Sequence, residues 1–213
     1  MNEKSTLELV IETAINMVEI EQKSMEKSDQ DWPAMFVVGN NQAINVCLLA
    51  VDIANDADKR RLGDFMLPGM ILQLKGEATA FISSAWMAVV DSSNVNAMAV
   101  AKEIGNKISL HPNKKEVVMI QAFTHDKFCL NTAEIIRSEG NPPTLGPWEN
   151  HEGITTMTKE NNAGGIFADG VKKALRIVAS GVKIPDEILE QFNREVDVQN
   201  QGKMNAEFEL EEM

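Results

Sequence analysis

The chain has no tyrosine, and its aromatic share is only 5%. So little flat aromatic surface argues against a platform on which successive nucleic-acid bases stack. Basic residues are scarce as well: 20 Lys and Arg stand against 32 Asp and Glu, for a net charge of −12. A protein that grips phosphate backbones gathers Lys and Arg to release counterions, so no direct nucleic-acid binding is expected. Cysteine is limited to Cys47 and Cys129, both inside apolar, strand-like runs that suit buried, reduced thiols better than a crosslink. No apolar run approaches the ~18 to 20 residues that a membrane-spanning helix requires. The opening stretch, MNEKSTLELVIETAINMVEIEQK, scatters acids among its apolar positions and offers no secretory signal. A cytoplasmic protein with no membrane contact is the expectation.

Catalytic signatures are equally thin. There is no G-x-S-x-G elbow, and Ser83-Ser84 lies mid-strand beside Trp86, a setting for packing. Gly164-Gly165 ahead of a helical pattern is a fragment of a phosphate loop without its Lys and Ser/Thr, and reads as a hinge. The three histidines, His111, His125 and His151, lack the short-spaced partners of a zinc site, so neither a resident metal nor a cofactor is expected.

What is present is enough chain for a real core. At 213 residues, folding hides roughly 70% of the unfolded chain's surface. Ser5 and Glu8 have the spacing of a capping box, which predicts a helix from Thr6 to about Met25 with Val10, Ala14 and Val18 on its apolar stripe. AMFVVGNNQAINVCLLAV reads as a hairpin about Gly39-Asn40-Asn41-Gln42. Asn55 or Asp56 caps a second helix, interrupted at Pro68-Gly69 and stopped at Gly76. A strand over 78–90 follows, and then a short alanine-rich helix capped by Ser92 or Ser93 and ended near Gly105. Lys114-Lys115 reads as a turn with two charges.

KEVVMIQAF and KFCLNTAEIIR flank Thr124-His125-Asp126-Lys127, which is hairpin spacing; Thr and Asp there can bond their own backbone, so a turn is favoured over a reaction site. After Arg137 the prolines Pro142, Pro143 and Pro147 predict a loop, and helices return at 167–180 and after Pro185.

These elements give an α+β domain with a mainly antiparallel sheet of about five strands, two hairpins plus one strand, packed with helices. The order is α-β-β-α-β-(α)-β-β and then C-terminal helices. The divisions are a core over 1–140, a Pro/Gly-rich loop over 141–165, C-terminal helices over 166–196 and an acidic, disordered tail over 197–213. From Lys183 onward nine acids face three bases.

MFVV, VCLLAV and VVMIQAF are apolar on successive residues, so both sheet faces must be covered, the second by C-terminal helices or by another subunit. A homo-oligomer is therefore expected. The leading functional expectation is a non-enzymatic accessory or regulatory protein that self-associates and binds a macromolecular partner, with Trp32, Trp148, Met70 and Met98 as contact residues. Trp86, inside a strand, is expected in the core. Two alternatives stand beside this reading. One is a metal-assisted hydrolase whose site is assembled across loops from His111, His125, Asp126, His151 and Glu152. The other is an acidic protein that occupies the nucleic-acid-binding cleft of another protein.

Overall fold

The computed structural model describes residues 4–49, 56–88, 114–151, 168–190 and 192. Helix α1 runs Thr6–Ser24, and the box at its start is complete: Glu8 N–H donates to the Ser5 hydroxyl, and Ser5 N–H donates back to the Glu8 carboxylate at 2.7 Å. Those bonds to Ser5 hold the Glu8 carboxyl below its ordinary range. Val10, Ala14 and Val18 are fully buried beneath the helix. Each valine adds on the order of 1.5 kcal/mol of apolar burial.

The sheet has six strands in the order β2-β1-β3-β4-β5-β6, every neighbouring pair antiparallel. They are β1 (Met35–Gly39), β2 (Ile44–Leu48), β3 (Ala78–Ala88), β4 (Lys114–Thr124), β5 (Phe128–Ser138) and β6 (Asn141–Asn150). Alternation along the strands divides the core in two. Met35, Val37, Ala80, Ile82, Val118, Ile120 and Ile135 face α1, whereas Phe36, Val38, Phe81, Phe123 and Phe128 face the helices of the other side. Those helices are α2 (Asp56–Arg61), a π turn (Leu62–Met66), α3 (Leu67–Leu74) and α4 (Ala168–Ala179). The second face of the sheet is thus covered by the chain's own α3 and α4, and the apolar strands by themselves require no second subunit.

The structure corrects the sequence reading in three places. The expected five strands become six, because residues 141–150 form a strand where prolines argued for a loop. Pro142-Pro143 and Pro147 fall where the β5–β6 register shifts, so each proline sits at a bulge on an edge strand, where a missing amide forfeits little. Lys114-Lys115 begin β4 and are no turn: Lys115 pairs with Glu134 across the strands at 2.8 Å, and Lys114 lies over the Trp86 ring. Trp86 itself is 44% exposed, since it stands near the far end of β3, opposite Glu116. The second helix is interrupted at Pro68, as its sequence predicts, by a π turn just ahead of the proline, which relieves the clash of its ring with the preceding turn.

The helix does stop at Gly76, though for a different reason from the one its sequence suggests. Lys75 takes the left-handed conformation (φ 49°), while Gly76 donates to Ile71 C=O at 2.9 Å. A side chain at Gly76 would begin 2.4 Å from a Val38 methyl. The glycine is needed for space between helix and strand.

Candidate functional site

His125 and Asp126 are exposed in the β4–β5 turn, with the His125 ring 3.7 Å from the carboxylate. The turn is stitched by Thr124, whose hydroxyl donates to Asp126 at 2.7 Å and accepts from Lys127 N–H at 2.9 Å. The Thr124 hydroxyl lowers the Asp126 carboxyl pKa. His151 stands just past β6, its amide donating to Leu130 C=O and its Nε2 2.8 Å from the Thr132 hydroxyl. His111 and Glu152 lie outside the described residues. Among the described residues no three His, Cys, Asp or Glu side chains converge as a metal site would require.

Cys47 and Cys129 are both half-buried and are not joined in a disulfide, and burial pushes the Cys47 thiol up. Cys47 lies opposite Phe36 and Cys129 opposite Ala122, on opposite faces of the sheet. Three strands separate them, which is about 19 Å at ~4.8 Å per strand. They do not form a site together.

The proposed contact residues also separate. Trp32 is only 3% exposed and its indole N–H donates to Val18 C=O at 2.9 Å, so it pins the α1–β1 connector to the core. Trp148 is half-buried on the α1 face opposite Ala133. Met70 is half-buried in a narrow apolar groove with Met66, Gly69 and Phe192, beside the exposed Phe65. Met98 is outside the described residues.

Two features were not legible from motifs. The first is a groove of about 390 Å³ between α1 and the β5–β6 edge, lined by Lys4, Glu8, Ile11, Glu12, Ile15, Asn131 and Asn150. Asn131, only 6% exposed, has no hydrogen-bond partner for its Nδ2. An orphaned buried amide is destabilising by about 1–3 kcal/mol, so Asn131→Leu, which keeps the branched shape of the side chain and can expand into the adjoining groove, is expected to stabilise the fold by about 1 kcal/mol in urea unfolding. A loss of stability would show that the amide is satisfied in solution.

The second feature is the β2 edge. Asn40 N–H donates to Ala43 C=O and Leu49 N–H to Ala34 C=O, which fixes the alternation of the β1–β2 ladder. Residues 45 and 47 therefore bond to β1, and the backbone groups of Ile44, Val46 and Leu48 point away from the sheet. The strand is INVCL, without charge or proline. Leu48 is 64% exposed, and Val46 is exposed too. By helical spacing, the flank of α1 turned toward this edge carries Thr6, Leu9, Thr13, Asn16 and Ile20, with Ile20 54% exposed, while Lys4, Glu8 and Glu12 occupy the opposite flank above β5 and β6. In a protein of net charge −12 this edge is a neutral, apolar strip.

No family model, curated protein or solved structure matches this chain.

Proposed function

We propose that this is a non-enzymatic, cytoplasmic accessory or regulatory protein that works through contacts, self-associating and binding a macromolecular partner. The observation that carries the reading is the open β2 edge, uncharged, apolar and with unpaired backbone groups turned outward among the described residues. Soluble proteins ordinarily blunt such an edge with charge, proline or a bulge, because it templates pairing with another chain. The far edge is blunted in this way by Pro142, Pro143, Pro147 and two register shifts, and β2 is not.

Partner binding has separate support in the groove of Met66, Met70 and Phe192 next to the π turn, where Phe65 is 54% exposed. Methionine-lined surfaces adapt to apolar partners. Among the described residues no observation draws His125 and His151 into a hydrolytic centre; His111, Glu152 and the acidic tail lie outside them. Sedimentation velocity of the full chain over a wide concentration range tests the reading. A concentration-dependent dimer or larger species is expected; a clean monomer at high concentration overturns it.

A further inference from the structure

We infer that the occupant of the β2 edge is β2 of a second copy, paired antiparallel about a two-fold axis through Val46; this rests on the self-association reading above. The outward backbone groups belong to Ile44, Val46 and Leu48. When two such strands run antiparallel with Val46 opposite Val46, Ile44 meets Leu48 and every outward N–H and C=O finds a partner, about six interchain hydrogen bonds at two per bonded pair. Registers shifted by one residue would place outward groups opposite inward ones. The centre at Val46 uses the whole of the five-residue strand.

A two-fold axis perpendicular to the sheet keeps each face continuous across the joint. Ile44, Val46 and Leu48 of both copies then form one apolar surface on the α1 side, and the uncharged flanks of the two α1 helices look at each other across it. Among the described residues, β2 and this flank of α1 carry no charged side chain of their own, and the one carboxylate bonded to the flank, Glu77, is held by Thr6 at the first turn of the helix, so two chains of net charge −12 approach along a largely neutral strip. The blunted β6 edge explains why pairing stops at two. A sheet with one open edge closes into a dimer, whereas two open edges would propagate a fibre.

The register supplies its own test. Asn45 and Cys47 are opposed across the axis as a non-bonded pair, with Cα atoms about 4.5 Å apart, which is within disulfide reach. Asn45→Cys, with native Cys47 kept, is therefore expected to give a covalent dimer on mild oxidation of the full chain. The same change combined with Cys47→Ala should give none, because the two introduced thiols are offset along the strands. Val46→Lys, at an exposed position, is expected to weaken dimerisation at least a hundredfold while leaving the far-UV spectrum unchanged. If the wild type sediments as a dimer but Asn45→Cys does not crosslink and Val46→Lys still dimerises, the β2 pairing is overturned and self-association stands. A monomeric wild type overturns both.

Discussion

Gly170→Ala is expected to lower stability by about 2–3 kcal/mol, the range for overpacking a close-packed core, and to lower Tm by roughly 5–10 °C at this chain length. The reason is a backbone-to-backbone contact. An added Cβ would lie 2.0 Å from the Gly63 carbonyl oxygen and 2.9 Å from the Pro68 ring. Gly63 is in the π turn, and Ala168, Val171, Ala174 and Leu175 bury α4 against that region. Neither neighbour is the loose end of a side chain, so α4 would have to lift from the π turn and α3 together. Alanine's better helix propensity, at most about 1 kcal/mol, offsets part of the loss. Thermal unfolding followed by circular dichroism checks it, with Gly181→Asn as the contrast. Gly181 is a glycine for its φ of 68° and has nothing within 4 Å, so asparagine, which tolerates that conformation, should be nearly neutral there. A neutral Gly170→Ala would show that α4 does not sit on the π turn.

Arg137→Ala carries the second large effect, about 2 kcal/mol, below the range for stripping one partner from a fully buried ion pair because both side chains keep some contact with water. From β5 the guanidinium reaches both Glu116 oxygens at 2.8 and 2.9 Å, Ser28 C=O at 2.8 Å, Gln30 C=O at 2.9 Å and the Asp31 carboxylate. The bonds it donates to Glu116, and then to Asp31, raise its pKa, so it stays charged at every pH of interest. Asp31 is well exposed and adds little. Most of the effect comes from leaving the half-buried Glu116 unpaired and the connector ahead of Trp32 untied. Arg137→Lys keeps the charge but not the planar fork, and is expected to recover less than half of the loss. Glu116→Gln with Arg137→Ala should be less harmful than the two single losses added together, because no charge is then left without a partner. Urea midpoints measured at unchanged m-value decide this. Full additivity would mean that the two side chains do not interact in solution.

Some of this architecture can be read directly from the chain. The capping box at Ser5 and Glu8, the apolar stripe of α1, the turn at Asn40 and the hairpin turn at Thr124–Lys127 follow from bonds and periodicities spanning only a few residues. The α+β class with an antiparallel sheet follows from them as well. These are local matters, and local sequence decides them.

Where the reading failed, the deciding partner was far away in the chain. Proline denies ladder bonds in a central strand, but β6 is an edge that bulges beside β5, and only the strand order reveals that. Trp32 beside Pro33 has a sequence that suits either pinning a loop or anchoring a partner, and only the fold, in which Val18 accepts its indole N–H, selects pinning. Arg137 carries no motif, since its partners on the connector lie more than a hundred residues earlier. The β2 edge could not be read either: INVCL is as apolar as the buried MFVVG before it. Composition alone determined that the chain is acidic, poor in aromatic surface and able to build a core. The fold decided which apolar strand stayed uncovered among the described residues, because exposure depends on which neighbours arrive, and β2 received one strand where β1 received two.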